Sequence, residues 1–356
     1  TTVSQIDDYS SLIDNIKKNS GKTDINFRKK LASKAFDKTS SYDDLISKWL
    51  DININRNRFD LKYGENENQK SYLVKRPSFD ISKYKVNGKS LSYNNIIDID
   101  SGLRCLKEFT DPTCIIIKHT NPCGVASADN IINAFKKAYD ADKKSAFGGV
   151  ILLNRPINQK LSNEIIKNFF EVIVSTNFDK ISLEILKKKK NLIALKINKN
   201  IKLEEEFKST VFGNLYQDDN NSKIDRNFIR AVTNLKLNNK LLNDLVFCIK
   251  VTKHTKSNSI VLVKNKQTIG IGAGQTNRIG SLKIAISNAK LNKKCNNFVC
   301  ASDGFFPFTD SVKVLKKNGC LAIAQPQGSI NDYKVVEYCK NNKISLYFTK
   351  NRLFKH

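Results

Sequence analysis

The spacing of apolar residues divides the chain into a helical beginning and an alternating remainder. Over residues 1 to about 52, apolar side chains recur three and four positions apart, which predicts helices that form too small a unit to enclose a core. From about residue 53, short β-branched runs alternate with helical spacing, which predicts an α/β fold. Between Phe298 and Phe348 the order strand, helix, strand, helix, strand further predicts parallel pairing.

One apolar stretch ends in two adjacent titratable residues. The β-branched run Ile115 to Ile117 predicts a buried strand that carries Lys118 and His119 at its end. The following Asn121-Pro122 predicts a turn, and Gly124 predicts a loosened backbone. A neutral imidazole can accept a proton and an ammonium can stabilise an oxyanion, which gives the pair catalytic potential. A surface Lys-His pair at a strand end explains the same residues equally well.

A glycine-rich segment, Gly270 to Arg278, invites interpretation as a phosphate loop, because amides exposed at a helix start bind anions. The segment lacks the Gly-Lys-Ser/Thr ending of a P-loop, and Gln275 occupies the third glycine position of the dinucleotide-binding pattern. A tight structural turn is the alternative. Arg278 nevertheless places a fixed cation at the start of the next predicted helix.

Aromatic residues follow another predicted strand. Asp303 to Phe308 contains three phenylalanines, which either pack in the core or form an apolar slot for a flat heteroaromatic ligand.

A metal site is not predicted. Pro122-Cys123 is similar to the cysteine half of a deaminase zinc site, but Asn121 and Ala126 stand where that site requires glutamate and a second cysteine.

Composition and charge narrow the class of protein. No apolar run is long enough to cross a membrane and no secretory signal is visible, so we expect a cytoplasmic protein whose eight cysteines are mostly reduced and buried. The net charge of +27 suits a nucleic-acid binder or an enzyme with anionic substrates. Compositional drift toward lysine is the interpretation we favour, because lysines are spread throughout and no nucleic-acid-binding motif is present.

Several of these segments together resemble one family, the 5-aminoimidazole-4-carboxamide ribonucleotide (AICAR) transformylase domain of the bifunctional purine-biosynthesis protein that also carries IMP cyclohydrolase. The segments occur in the family's order. They are Leu61 to Asn66, Lys118 to Gly124, Ser145 to Gly149, Lys256 to Ser259, Gly270 to Arg278, Ala301 to Asp310 and Arg352 to His356.

The resemblance implies an architecture. It implies two cytidine-deaminase-like α/β/α subdomains without zinc, at residues 53–216 and 217–356, with the polar stretch Gln217 to Asp225 as a surface loop between them. Residues 1–52 resemble the helical tail of a cyclohydrolase domain, so ring closure to IMP is not expected from this chain alone. A cyclohydrolase domain in cis or trans is a possible partner. The family also implies a homodimer with shared active sites.

The resemblance implies transfer of a formyl group from 10-formyltetrahydrofolate to the 5-amino group of AICAR, with no catalytic metal and with no membrane or nucleic acid as partner. His119 would be the general base and Lys118 the oxyanion stabiliser. The residues implied around AICAR are Lys62, Tyr63, Gly148, Glu171, Asn258, Phe305 and Arg352. Those implied around the folate are Arg278, Ile279, Asp310, Ser329 and Ile330.

Some positions depart from the family pattern. Lys62 replaces a usual arginine, which reduces a bidentate phosphate grip to a point contact. The other departures are Asn68 for histidine, Asn277 for serine, Thr309 for arginine and Ser175-Thr176 for an Ala-Pro pair. They bear on substrate affinity more than on the reaction. The alternatives to an enzyme are a basic nucleic-acid-binding protein and a subunit that docks on a separate cyclohydrolase.

Overall fold

A computed structural model of the chain describes residues 1–50, 58–74, 80–197, 206–292 and 294–356. The chain separates into two compact units, Thr1–Arg58 and Phe59–His356. The boundary predicted between residues 52 and 53 lies outside the described residues.

The first unit is helical, as the apolar spacing predicted. A short 3-10 turn, Ile6–Asp8, leads into α1 (Tyr9–Lys18), and α2 (Ile25–Trp49) follows. Asp24 immediately precedes α2 and stabilises its first turn, because its carboxylate accepts a hydrogen bond from the Phe27 amide at 2.8 Å. The Asn15 side chain donates to the same carboxylate at 2.6 Å, which ties α1 to the start of α2.

Among the described residues, the second unit contains the remaining helices and most of the strands. The helices are α3 (Tyr93–Leu106), α4 (Ile131–Ala141), α5 (Lys143–Ala146), α6 (Gln159–Ile165), α7 (Lys180–Lys187), α8 (Asn239–Lys253), α9 (Arg278–Leu291), α10 (Asp310–Lys317) and α11 (Asp332–Asn341), with 3-10 turns at Ile81–Tyr84 and Arg226–Phe228. The strands are β1 (Arg58–Asp60), β2 (Tyr72–Val74), β3 (Lys85–Asn87), β4 (Thr113–Lys118), β5 (Asn121–Ser127), β6 (Gly149–Leu153), β7 (Phe170–Ser175), β8 (Ile193–Lys196), β9 (Glu206–Thr210), β10 (Gly213–Gln217), β11 (Ile229–Ala231), β12 (Ile260–Lys264), β13 (Gln267–Gly272), β14 (Phe298–Ser302), β15 (Cys320–Pro326) and β16 (Ser345–Thr349).

Twelve of the described strands form one mixed sheet, in the order β11-β16-β15-β14-β12-β13-β5-β4-β6-β7-β8-β3. The predicted α/β class is therefore confirmed. The parallel pairing predicted between Phe298 and Phe348 is also confirmed, because β14, β15 and β16 run parallel to one another. The pairs β1-β2 and β9-β10 form two small separate ribbons.

The large sheet is an internal repeat. From the centre outward, β5, β4, β6, β7, β8 and β3 have the same order and relative directions as β13, β12, β14, β15, β16 and β11. The helices repeat as well, since α3 and α8 each precede the first hairpin and α4 and α9 each follow it. The repeats meet where β13 pairs antiparallel with β5, so they point in opposite directions.

Helices cover both faces of the sheet. On one face, side chains of α3 and α8 form a single buried core with both halves of the sheet, including Ile99, Ile115, Leu245 and Val261. On the other face there are two separate cores, one around Phe135 of α4 and one around the residues of α9, α10 and α11. Strands buried on both faces explain why β4, β6 and β12 read as continuous apolar runs in the sequence.

Two glycines allow helices to approach the central strands closely. A Cβ added at Gly124 in β5 would collide with the carbonyl oxygen of Ala138 in α4. The repeat-related Gly270 in β13 makes the same contact with the carbonyl of Ala285 in α9. Gly124 therefore serves helix packing within a strand, and its predicted role of loosening the backbone is wrong.

No described helix has the length and apolar character needed to cross a membrane. All eight cysteines are free, and six of them are buried. Burial raises the pKa of the Cys123 and Cys339 thiols to about 12, which keeps them protonated at neutral pH.

A buried charged cluster joins the two repeats on the α3/α8 face. The Glu108 carboxylate, just after α3, accepts a hydrogen bond from Lys253 Nζ of α8 at 2.7 Å and lies 3.2 Å from His254 Nε2. Burial alone would raise the pKa of Glu108, but its His254 and Lys253 partners together lower it. Burial lowers the pKa of His254, and this effect exceeds the opposing effect of Glu108.

This cluster predicts instability in mild acid. Because the pKa of His254 is lower in the folded protein than its unfolded value of about 6.5, the unfolded chain binds more protons below that pH. We expect the free energy of unfolding to fall as the pH drops below about 6.5, by at most about 1.4 kcal/mol per pH unit from this residue. Urea unfolding at pH 7.5, 6.5, 5.5 and 5.0 measures the slope.

The control is His356, which is exposed. His254→Gln should flatten the slope between pH 6.5 and 5, whereas His356→Gln should leave it unchanged. An equal slope in both variants would show that His254 does not cause the acid sensitivity.

Candidate active site

Almost all the predicted site residues lie at the same end of the strands of the large sheet. This side of the sheet, formed by strand ends and their loops, is here called an edge. Because β4 runs antiparallel to β6, the end of β4 at Lys118 lies beside Gly148, at the start of β6. The reversed second repeat brings the ends of β13, β14, β15 and β16 to this same edge, together with the start of β12. The edge therefore combines loops from both repeats.

The turn at this edge differs from the prediction. Residues Asn121 and Pro122 belong to strand β5, so the turn predicted there is wrong. The chain reverses at His119 and Thr120, which both have left-handed backbone conformations with φ values of 51° and 62°. Pro122 is tolerated within the strand because a register shift lies beside it, opposite Ile117. The His119 side chain is exposed at the tip of this hairpin.

Lys118 is held against the start of β6. Its Nζ donates a hydrogen bond to the Phe147 carbonyl at 2.8 Å. A Cβ added at Gly148 would lie 3.1 Å from the same Nζ, and the φ of 69° at Gly148 also favours glycine. The ammonium thus occupies a defined place beside a glycine that leaves the backbone accessible.

The other predicted residues of the first repeat, or the loop that carries them, contact the start of α3. The Glu171 carboxylate, at the start of β7, accepts a hydrogen bond from the Asn95 side chain at 2.9 Å. Asn94 donates to the Glu65 carbonyl at 3.1 Å, which fixes the loop that carries Lys62 and Tyr63. The Lys62 Nζ lies 5.1 Å from the centre of the Tyr63 ring, within cation–π range.

The segment before β12 belongs to the second repeat but contacts the hairpin of the first. The Lys256 amide donates to the Asn121 side chain at 2.9 Å, one strand residue beyond the turn. Asn258 donates through its side chain to the Gln275 carbonyl at 2.8 Å, and its own carbonyl accepts from Ser281 at 2.7 Å. Gln275, the residue that breaks the dinucleotide-binding pattern, therefore orients Asn258.

Arg278 begins α9, as predicted, but its guanidinium has a protein partner. It donates to the fully buried Asp303 carboxylate at 2.9 Å and to the Phe305 carbonyl at 3.2 Å. Its Nε is buried and has no hydrogen-bond partner. Asn277 caps the same helix by accepting a hydrogen bond from the Gly280 amide at 2.8 Å. The glycine-rich segment is thus a strand end and a capped turn.

The aromatic segment after β14 is divided between core and surface. Phe306 is fully buried, which agrees with core packing, whereas Phe305 is 37% and Phe308 63% exposed. The exposed pair lies at the edge that carries the hairpin, where an apolar slot was the alternative.

The other predicted positions also lie at this edge, after β13, β14, β15 and β16. Ile279 and Ser329 are half-buried, and Asp310 and Arg352 are exposed. Ile330 is 94% exposed. The Arg352 guanidinium lies 4.8 Å from the centre of the Phe354 ring. Among the residues that the structure describes, none of these side chains forms a hydrogen bond with the hairpin.

Two residues that the sequence did not indicate contact the hairpin directly, and a third contacts it through one of them. Asp98 accepts a hydrogen bond from the Thr120 amide at 2.6 Å, and Ser101 donates to the Thr120 carbonyl at 2.7 Å. Lys355 Nζ donates in turn to the Ser101 hydroxyl at 2.9 Å. Asp98 and Ser101 are three residues apart on the buried side of α3, and polar residues on an apolar helix face are the only signal that pointed to them.

Among the residues that the structure describes, no group of three or more His, Cys, Asp or Glu side chains could hold a metal ion. The chemistry available at this edge is that of an exposed imidazole, a fixed ammonium, side-chain amides and exposed aromatic rings. Such groups suit proton transfer to or from a bound heteroaromatic anion.

Comparison with known proteins shows the family of the chain. The bifunctional purine biosynthesis protein PurH of Thermoanaerobacter sp. (strain X514) is 42% identical over 364 residues, which cover 98% of this chain and 71% of the relative. PurH of Buchnera aphidicola subsp. Schizaphis graminum is 41% identical and PurH of Fusobacterium nucleatum 40%, each over 99% of this chain and 72% of the relative. Residues 1–288 match the sequence model of the family described as AICARFT/IMPCHase bienzyme. The chain belongs to the AICARFT/IMPCHase bienzyme family.

Proposed function

We propose that this chain acts in purine biosynthesis and transfers the formyl group of 10-formyltetrahydrofolate to the 5-amino group of AICAR, giving FAICAR and tetrahydrofolate. Membership of the bienzyme family supports the purine pathway. The observation that carries the formyl transfer is the position of the Lys118–His119 hairpin, which shares a sheet edge with Gly148 and with the segment around Asn258.

The chemistry follows from the weak nucleophilicity of the amine, whose lone pair is conjugated with the imidazole ring. As the amine nitrogen attacks the formyl carbon, His119 accepts its proton and the carbonyl oxygen gains negative charge. Lys118 stabilises that oxyanion, because its Nζ is already fixed beside Phe147 and Gly148. Collapse of the tetrahedral intermediate breaks the bond to N10 of the folate, and the His119 imidazolium returns the proton to that nitrogen.

The AICAR site combines residues from both repeats in this proposal. Arg352 and Lys62 are exposed cations that suit the phosphate, with Lys62 acting as a point charge. Asn258, held by Gln275, suits the carboxamide-bearing ring, and the exposed ring of Phe305 suits stacking. The other proposed contacts are Tyr63, Gly148 and Glu171.

The folate site lies on the loops of the second repeat. The exposed side chains of Ile330 and Asp310 suit the pterin and benzoyl portion, with Ile279 and Ser329 beside them. Arg278 is the proposed partner of the glutamate carboxylate. Because its guanidinium holds Asp303 and the Phe305 carbonyl, a bound folate would add to an existing ion pair.

The first test is an assay with AICAR and 10-formyltetrahydrofolate, monitored spectrophotometrically as tetrahydrofolate forms. We expect His119→Ala to lower kcat by about 10²-fold or more, because the amine loses its proton acceptor. Lys118→Met should lower kcat by a similar factor through loss of oxyanion stabilisation. Both variants should remain folded, since the two side chains are not in the core.

The internal repeat supplies matched controls. Lys264 and Asn265 occupy the same positions in the β12–β13 hairpin, at the opposite edge of the sheet. Lys264→Met and Asn265→Ala should keep kcat within about threefold, because no catalytic step is assigned there. Near-normal turnover by His119→Ala would remove the proposed mechanism.

We also propose a cytoplasmic homodimer with shared active sites. The eight free cysteines support a reducing compartment. Support for the dimer comes from the β9–β10 ribbon, whose exposed apolar side chains include Val211 at 94% and Phe212 at 98% exposure. A two-stranded ribbon is only marginally stable alone, and apolar surface of this kind is typical of an interface. The second copy of the chain is its proposed partner.

The dimer is tested by sedimentation velocity. The wild-type chain should sediment as a dimer, and Phe212→Asp combined with Val211→Asp should shift it toward monomer, because two charges would be desolvated in the interface. Leu291→Asp alters a side chain that is 79% exposed outside the ribbon and is the control. A dimer that survives the ribbon substitutions would place the interface elsewhere.

Under this proposal the 356 residues carry formyl transfer without ring closure. When supplied with FAICAR alone, the chain should form no IMP above the uncatalysed rate, as followed by chromatography. Addition of a separately produced cyclohydrolase domain should restore IMP formation. IMP formation by the chain alone would show that it carries both activities.

A further inference from the structure

The two repeats contain equivalent hairpins, and each turn is held by an aspartate on the preceding helix. His119-Thr120 and Asn265-Lys266 all have left-handed backbone conformations, with φ between 51° and 62°. Asp98 is the sixth residue of α3 and Asp244 is the sixth residue of α8. Both aspartates are buried, and each accepts hydrogen bonds from backbone amides of the turn that follows its helix.

The two turns are held differently. Asp244 accepts from both turn amides, Asn265 at 2.8 Å and Lys266 at 2.7 Å, and the Lys266 carbonyl accepts from the Ser127 amide of the first repeat at 2.9 Å. Asp98 accepts from the Thr120 amide at 2.6 Å. The Thr120 carbonyl, which corresponds to that of Lys266, accepts instead from a side chain of the preceding helix, the Ser101 hydroxyl, at 2.7 Å.

The hydrogen bonds around Thr120 extend to Lys355. Lys355 Nζ donates to the Ser101 hydroxyl at 2.9 Å and to the His254 carbonyl at 3.1 Å. The Lys355 amide donates to the Ser257 hydroxyl at 3.1 Å, next to Asn258. The hairpin of the first repeat is therefore coupled to the segment of the second repeat that is proposed to bind AICAR.

We propose that Asp98 and Ser101 are positioning residues, which hold both peptide groups around Thr120 and so fix the direction of the His119 imidazole. The proposal rests on the formyl transfer assigned above. Left-handed backbone is unfavourable for residues other than glycine, so a turn of His and Thr needs external hydrogen bonds to persist. Without them, the imidazole would sample orientations in which it cannot reach the amine of AICAR.

The test compares Asp98→Ala and Asp98→Asn with Asp244→Ala and Asp244→Asn, each normalised to folded protein by circular dichroism. Asp98→Ala should lower kcat about 10- to 100-fold while KM for AICAR changes less than about threefold, because orientation is lost and binding is kept. Asp98→Asn retains an acceptor oxygen for the Thr120 amide and should stay within about fivefold of wild type. Both Asp244 variants should keep kcat within about threefold even where they unfold at lower temperature.

Two kinetic results would overturn the proposal. One is a kcat for Asp98→Ala equal to that of Asp244→Ala, which would make Asp98 a purely structural residue. The other is an Asp98→Asn variant as slow as Asp98→Ala, which would make the negative charge, and not the hydrogen bond, the cause.

A readout independent of activity separates this proposal from the proposed function. Hydrogen–deuterium exchange should be faster in the peptide that contains Thr120 in Asp98→Ala and in Ser101→Ala, but unchanged there in Asp244→Ala. If wild-type protein shows no formyl transfer and this exchange pattern holds, the proposed function is wrong, but Asp98 and Ser101 still hold the hairpin. Unchanged exchange of the Thr120 peptide in Asp98→Ala would show that Asp98 does not hold the hairpin, whatever the activity of the variant.

Discussion

The antiparallel pairing of β5 with β13 is the contact on which the candidate site depends. The Ser127 amide donates to the Lys266 carbonyl at 2.9 Å, and the Thr268 hydroxyl accepts from the Val125 amide at 3.0 Å. Within one repeat, the hairpin lies at one edge of the sheet and the ends of the three parallel strands lie at the other. Only a reversed second repeat can bring strand-end loops to the edge where Lys118 and His119 lie.

Packing keeps the two repeats in this relation. The α3/α8 face has one continuous core that includes strands of both repeats, whereas the opposite face has two cores. The Glu108 cluster adds charge-assisted hydrogen bonds between the end of α3 and the end of α8. A site assembled from two repeats needs such shared packing, because a small rotation between them would separate its groups.

Much of the fold was predictable because buried strands and amphipathic helices leave strong local patterns. The strand before Lys118, the helix predicted from Ile131 to Asp140 and the parallel segment after Phe298 are all confirmed within one or two residues. The turn at Asn121-Pro122 was wrong because proline is normally excluded from paired strands, and a register shift that accommodates it has no local signal.

The contacts that define the site were harder to predict. Left-handed residues at a turn are expected to be Gly or Asn, and His119-Thr120 are neither, so their dependence on Asp98 is visible only in three dimensions. Arg278 was correctly placed at a helix start, but its partner Asp303 lies on another strand end. The family resemblance implied two subdomains of one type, but the spacing of residues did not show the repeat, because the two halves share a topology and a few contacts, not a fixed sequence period.

The paired glycines of the central strands set a limit on how far the composition of this chain can shift. Lysine and arginine number 61, and the long solvated stems of these residues can be added at almost any surface position without disturbing the layers beneath. At Gly124 and Gly270 there is no volume for even a methyl group, since a helix backbone already fills it. A shift in composition can therefore alter the exterior of the molecule, whereas these two positions on the central strands admit only glycine.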